Sequence, residues 1–171
     1  MSLRDKLNEN PLIVAVVVIV LVAVCAVWAY RTFSGGGSGG PVKPGTQQAY
    51  YSEDDGKTYF AAPVDQIPGA FTGPGGRTAV LAVVLQYPGE KPFVGWLETY
   101  TDKGRKLLAE HYSNPANKGL PPPQIAELER EKLVKKPGTG RWVSVSREPE
   151  EADAIRRLER KNGEIPARIM P

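Results

Sequence analysis

The fold follows from the stretch TAVLAVVLQYPGEKPFVGWLETY at residues 78–100. Residues 78–87 form a near-continuous apolar run that is too short to cross a bilayer as a helix and contains several β-branched side chains. The next segment, residues 88–91, contains proline and glycine, which favour a turn. Residues 93–100 are again rich in β-favouring side chains. The whole stretch therefore predicts an antiparallel β-hairpin.

A second hairpin is predicted upstream, over residues 49–61. Its two arms, residues 49–53 and 57–61, are rich in aromatic side chains. They flank Asp54-Asp55-Gly56, in which the Asp-Gly pair tolerates a positive φ angle. We expect this segment to form two short strands joined by a tight turn.

The eight residues SEDDGKTY at 52–59 resemble the Asp-box, a hairpin motif of sialidase-like propellers and other secreted β proteins. In that motif, serine and aspartate side chains bond to the turn backbone and the final aromatic ring packs beneath. The resemblance implies a structural role for Ser52, Asp54, Gly56, Thr58 and Tyr59. Propellers carry several copies with repeated blades, whereas this chain has one copy, so no sialidase activity is implied.

Helical periodicity appears after the strand at 93–100. Thr101 can cap a helix over residues 102–112, and a second helix is predicted over 124–134. A short strand is expected at 141–146, and a further helix is expected at 150–161. These elements predict an α+β domain, with two or three short helices on one face of a small antiparallel sheet.

The N-terminal part contains an uncharged apolar run, PLIVAVVVIVLVAVCAVWAY, at residues 11–30. As a helix it would extend roughly 30 Å, the thickness of a bilayer core. Trp28, Tyr30 and Arg31 suit the interface at its end. We expect a permanent transmembrane helix at 11–31, because a cleaved signal peptide usually has a shorter apolar core. Lipoprotein processing at Cys25 is disfavoured by Val24 before it.

Five segments follow from this pattern. Residues 1–10 are an N-terminal tail, 11–31 the span, and 32–48 a linker rich in Gly, Ser and Pro. Residues 49–148 form the soluble domain, and 149–171 a charged tail. The basic residues flanking the span are nearly balanced, but a short tail before a long C-terminal part favours an inner-membrane protein with its C-terminal domain outside the cytoplasm.

The sequence contains few candidates for catalysis or ligand binding. The single histidine, His111, has no serine or cysteine partner at a diagnostic spacing, and the single cysteine lies in the apolar run. The acids around Gly56 do not match a calcium loop, and no phosphate-binding loop is present. We therefore predict no catalytic residue, no cofactor and no metal. A net charge of +3 does not favour nucleic acid.

Basic residues are concentrated in two places that could face anionic lipid. One group comprises Lys132, Lys135, Lys136 and Arg141, and the other comprises Arg156, Arg157, Arg160 and Lys161. Neighbouring acids dilute both groups. A solvated helix face with pairing such as Glu131 to Lys135 is the favoured interpretation.

The whole layout resembles a group of uncharacterised single-pass membrane proteins of planctomycete-type bacteria. The likeness depends on DDGKT-aromatic-Phe at residues 54–60 and on KKPG-x-G-x-W-V at 135–143. It implies no activity. We expect a membrane-anchored envelope protein that acts as an interaction or structural module, with the membrane and an envelope protein as partners.

The alternative is an envelope hydrolase or a glycan-binding domain. Its site would lie near the turn at 54–56 or on the strands that carry tyrosine and tryptophan. A pocket that brings Asp54 or Asp55 together with Glu98 and His111 would favour this alternative.

Overall fold

The computed structural model describes residues 47–171, which form an antiparallel sheet with a few short helices. This confirms the predicted α+β class. The predicted span at 11–31 lies outside the described residues. Within residues 47–171, no helix combines the length and the apolar character needed to cross a bilayer.

The described part contains eight strands and three α-helices. The strands are β1 (Gln48–Ser52), β2 (Phe60–Pro63), β3 (Phe71–Thr72), β4 (Thr78–Gln86), β5 (Phe93–Tyr100), β6 (Lys132–Lys135), β7 (Val143–Ser144) and β8 (Ala167–Arg168). The helices are α1 (Asp102–Ser113), α2 (Ala126–Arg130) and α3 (Pro149–Arg156), with a 3₁₀ turn at Pro115–Asn117.

Strand β4 is the centre of the sheet. The main strand order is β2-β1-β4-β5-β6-β7, and β3 and β8 also pair with β4. Every one of these pairings is antiparallel. Four consecutive residues of β4, 82–85, are buried, because both faces of the strand are covered by other side chains. This explains why β4 is an uninterrupted apolar run.

A β-bulge at Gly95 adjusts the register between the two longest strands. Val83 pairs with Trp96 and Val84 pairs with Val94, so Gly95 is the extra residue on β5. Leu85 packs directly over this glycine. A Cβ atom at position 95 would overlap Leu85 Cδ1. A side chain at position 95 would therefore displace the buried Leu85.

The register divides the side chains of the sheet between two faces. Leu81 lies opposite Glu98 on one face, and Ala82 lies opposite Leu97 on the other. The first face also carries Trp96 and Tyr100, because they alternate with Leu97 along β5. We call it the helix-covered face, because helices pack against it.

All three helices pack against the helix-covered face. Leu108 and Tyr112 of α1 and Leu128 of α2 pack with Tyr100 of β5. From α3, Ala152 and Ile155 pack with Trp96, Val134 and Val143. The three helices therefore all lie on the same face of the sheet.

Helix α1 begins where the sequence predicts. The Thr101 hydroxyl accepts a hydrogen bond from the Gly104 backbone N–H at 3.3 Å, as an N-cap does. Gly104 also allows close packing, since a Cβ there would lie 2.7 Å from Glu131 Cβ. The prediction of a helix over 102–112 is confirmed.

The predicted helix at 124–134 is wrong in its second half. Helix α2 covers only Ala126–Arg130, and residues 132–135 form strand β6 beside β5. Pairing with β5 buries Val134 completely and provides hydrogen-bond partners for the backbone groups along one edge of β6. These gains outweigh the weak local preference for helix. Helix α2 also has no side-chain cap.

The C-terminal region differs from the expectation in three details. Helix α3 ends at Arg156 rather than at residue 161, and its buried residue is Ala152, whereas Leu158 is exposed. The strand expected at 141–146 is reduced to Val143–Ser144. Strand β8, within the predicted charged tail, pairs with Leu85 and Gln86 of β4.

Substitution of Gly95 tests the bulge. We expect Gly95→Ala to lower the free energy of unfolding by about 1–3 kcal/mol, because the new methyl group would overlap Leu85. Denaturant unfolding of the full chain, followed by tryptophan fluorescence, measures the change. Gly140→Ala is the matched control, since a Cβ there meets no atom within 4 Å. Equal stabilities for the two variants would contradict the packing described.

Candidate functional site

The turn between β1 and β2 is stabilised by its own side chains. The hydroxyl of Ser52, which is fully buried, accepts from the Gly56 N–H at 2.9 Å and donates to Asp54 Oδ1 at 3.0 Å. Asp54 Oδ1 also accepts from the Thr58 N–H at 2.9 Å, and Oδ2 accepts from the Thr58 hydroxyl at 2.7 Å. Tyr59 then packs against Tyr50, with ring centroids 4.9 Å apart.

These bonds control the ionisation of Asp54. Burial alone would raise the pKa of its carboxyl group. The hydrogen bonds from Thr58 and Ser52, together with the charge of Arg77, outweigh burial, so the pKa lies below its ordinary value. The charged carboxylate is therefore the form that the turn stabilises.

The same turn contacts the loop between β6 and β7. Asp55 Oδ2 accepts from the Gly138 N–H at 3.0 Å, and Oδ1 forms an ion pair with Lys135 Nζ at 2.5 Å. Gly56 lies against Pro137: a Cβ on Gly56 would be 3.0 Å from Pro137 Cγ. We call this contact the turn clasp, formed by Asp55, Gly56, Lys135, Pro137 and Gly138.

The turn clasp requires unusual backbone geometry at its centre. Asp55 has φ 63° and Gly56 has φ 80°, both in the left-handed region. The clasp joins the two motifs, 54–60 and 135–143, which are separated by more than 70 residues in the sequence. The sequence alone identifies the two motifs separately but does not indicate that they meet.

Beside the turn clasp lies the second face of the sheet, which we call the open face. Its half-buried side chains are Tyr50, Tyr59, Val80, Val94, Trp142 and Ile169, and they pack over the buried Ala82, Val84 and Leu97. Lys135 Nζ lies 5.1 Å from the centroid of the Trp142 ring. In the part of the chain that the structure describes, no helix contributes to this cluster.

The acids and the histidine of the hydrolase alternative bind different partners. Asp54 and Asp55 are held in the turn and the turn clasp, as described above. Glu98 accepts from Trp96 Nε1 at 2.7 Å on the helix-covered face, and the Asn117 side chain donates to the His111 carbonyl at 2.9 Å. These contacts do not bring the four residues into one site. Across residues 47–171, no cluster of three potential metal ligands occurs.

The basic residues near β6 form ion pairs with separate acids. Lys132 pairs with Glu129, Lys136 with Glu159, and Arg141 with Glu148 and Glu151. The expected pair between Glu131 and Lys135 is absent from the described residues, because Lys135 pairs with Asp55 and Glu131 with Lys103. The pairs made by Lys136 and Arg141, whose side chains are well exposed, contribute little to stability, but they neutralise the local charge.

Two cavities that sequence reasoning did not identify lie on the other side of the sheet. One, of about 270 Å³, is a groove beside the bulge and is lined by Tyr87, Phe93, Trp96, Lys136, Arg157 and Glu159 among others. The other, of about 210 Å³, lies beneath α1. Their lining residues come from segments that are distant in the sequence, so no local sequence pattern predicts these cavities.

Three tyrosines line the cavity beneath α1. Burial raises the pKa of Tyr51 and Tyr100, and the charges of Asp65 and Glu98 respectively reinforce the effect. Burial and Asp65 raise the pKa of Tyr112 to about 12. All three hydroxyl groups are therefore protonated at neutral pH.

The chain matches no protein-family model, no curated protein and no solved structure in the comparisons made. The candidate site consists of the self-bonded turn, the turn clasp and the adjoining open face.

Replacement of Asp54 tests the turn. We expect Asp54→Asn to lower the free energy of unfolding by about 1–2 kcal/mol at neutral pH, through the loss of charge-assisted hydrogen bonds. Because the folded pKa is depressed, this stabilisation is present above the unfolded value near 4 and is lost as the pH falls through the folded value.

The difference between wild type and Asp54→Asn should accordingly narrow below about pH 4. Denaturant unfolding of the full chain at several pH values measures it. Glu110→Gln, an exposed change on α1, serves as the control. A difference that stays constant into the acid range would contradict the role assigned to the Asp54 charge.

Proposed function

We propose that the protein is a single-pass, membrane-anchored envelope protein, and that its α+β domain is an interaction or structural module. In this proposal the contact surface is the open face. The observation that carries it is the asymmetry of the sheet, in which three helices cover one face and half-buried aromatic residues line the other.

The chemistry of the open face suits a protein partner. Tyrosine and tryptophan offer large apolar areas with few rotatable bonds and are enriched at the centres of interfaces. Tyr59 directly follows the turn, and Trp142 lies four residues after Gly138. Contacts with Tyr50 and with Lys135 restrain the Tyr59 and Trp142 rings, respectively, in the unbound domain, which lowers the entropy cost of binding.

The membrane anchor in this proposal is the apolar run at 11–30. Its length, its lack of ionisable residues and the interfacial Trp28, Tyr30 and Arg31 support a retained helix. The linker at 32–48 would keep the domain near the bilayer surface. We place the domain outside the cytoplasm.

A glycan-binding function is the second candidate, and the groove beside the bulge favours it. Tyr87 and Phe93 stack there with ring centroids 5.7 Å apart, and Lys136, Arg157 and Glu159 supply polar groups. Glycoside hydrolysis usually needs two carboxylates. Glu159 is the single carboxylate residue among those that line the groove, so the groove favours binding over hydrolysis.

Site-specific photo-crosslinking in the native host distinguishes the two candidates. A photoreactive residue replaces Tyr59 or Trp142 on the open face, Phe93 beside the groove, or Ala109 on the exposed side of α1 as the control. We expect discrete protease-sensitive adducts from Tyr59 and Trp142, with at least several-fold higher yield than from Ala109.

Protease-resistant glycan adducts from Phe93 alone would favour the second candidate. Equal yields at all four positions would contradict both, because neither surface would then be specific.

Reporter fusions test the topology. Reporters placed after Met1 and after Pro171 should be active on opposite sides of the membrane, with the C-terminal one outside the cytoplasm. Activity of the C-terminal reporter in the cytoplasm only would show that the proposed orientation is wrong.

A further inference from the structure

The cavity beneath α1 has an apolar, well-enclosed interior. It lies between the helix-covered face, α1 and the proline segment at 121–122. Its buried lining residues include Tyr51, Leu108 and Tyr100, which are 1%, 0% and 6% exposed. Protein interiors are close-packed, so a partly enclosed space of about 210 Å³ against these buried side chains is a candidate ligand site.

The mouth of the cavity carries a single positive charge. Its exposed lining residues are Gln47, Pro121, Arg168 and Met170, and Arg168 is the one charged residue among all those that line it. Arg168 forms no ion pair with any other residue in the described range 47–171. Its guanidinium group is thus suited to an external anion such as a carboxylate.

Two of the three tyrosine hydroxyl groups that line the cavity already donate hydrogen bonds to backbone carbonyls. Tyr51 donates to the carbonyl oxygens of Pro63 and Gln66, at 3.1 and 3.3 Å, and Tyr112 donates to the Leu120 carbonyl at 3.2 Å. The interior is consequently more apolar than its tyrosines suggest. A ligand there would gain mainly from contact with rings and leucine methyl groups.

We propose that this cavity binds a medium-chain alkyl carboxylate, with the alkyl chain under α1 and the carboxylate at Arg168. The size sets the chain length. A dry cavity of about 150 Å³ accommodates benzene, with six carbons, so 210 Å³ corresponds to roughly eight carbons. A phospholipid with two long acyl chains does not fit this volume.

Methyl NMR of the full chain in zwitterionic nanodiscs tests the site, with octanoate as the probe. Octanoate should shift the methyl signals of Leu81 and Leu108, which line the cavity, and leave those of Val84 and Val94 beneath the open face unchanged. We expect a dissociation constant on the order of 0.1–1 mM. Octan-1-ol, which has no charge, should bind about tenfold more weakly.

Two adjacent positions of β4 supply matched variants. Leu81→Trp fills the cavity and should abolish the Leu108 shifts, whereas Val80→Trp places the same ring on the open face and should preserve them. Arg168→Gln should reduce octanoate affinity to that of octan-1-ol. If Leu81→Trp does not fold, the octanoate affinity of Arg168→Gln tests the proposed site.

Several results would overturn the proposal. They are the absence of Leu81 and Leu108 shifts at about 10 mM octanoate, equal binding of octanoate and octan-1-ol, or unchanged octanoate affinity in Arg168→Gln. None of them bears on whether the open face contacts a partner, so this site and the proposed function are tested independently.

Discussion

Strand β4 pairs with β1, β3, β5 and β8, and the remaining strands of the described sheet depend on those pairings. The buried side chains of residues 82–85 alternate between the two faces of the sheet, so packing on both faces depends on this one strand. The bulge at Gly95 shifts the register of β5 against β4, and Leu85 fills the space that a side chain at position 95 would occupy. A shift of β4 by one residue would exchange the faces of its side chains.

From this strand outward, the two faces have different surroundings. On the helix-covered face, α1, α2 and α3 pack over Trp96, Tyr100 and Val134, and leave a cavity beneath α1. On the open face, aromatic rings are arranged beside the turn clasp. This division separates a surface suited to a macromolecular partner from an enclosed space suited to a small ligand. The two proposals therefore concern opposite sides of the same strand.

Strong local patterns in the sequence predict much of this fold. The apolar run of β4, the following hairpin and the Thr101-capped helix α1 each carry enough signal within one window to be identified. The helix predicted at 124–134 failed because β6 gains its stability from β5, a partner that no local window contains. The two-residue strands β3 and β8 are too short to produce any periodicity.

The candidate site also combines features that a local sequence pattern predicts with features that depend on tertiary contacts. Ser52, Asp54 and Thr58 lie within one turn, and their spacing is visible in the sequence. The contact of Asp55 with Lys135 and Gly138 depends on the complete sheet, and so does the position of Trp142 beside it. The domain boundaries at 48 and 148, the membrane span and the envelope location remain predictions from sequence.

The most direct measurement of the central claim is hydroxyl-radical footprinting of the full chain, in native membranes and after purification. If the open face is the contact surface, Tyr59 and Trp142 should be several-fold less oxidised in native membranes than in the purified protein. Phe93, which is 38% exposed on the helix-covered face, should be oxidised equally in both. Equal oxidation of Tyr59 and Trp142 in the two preparations would contradict the account.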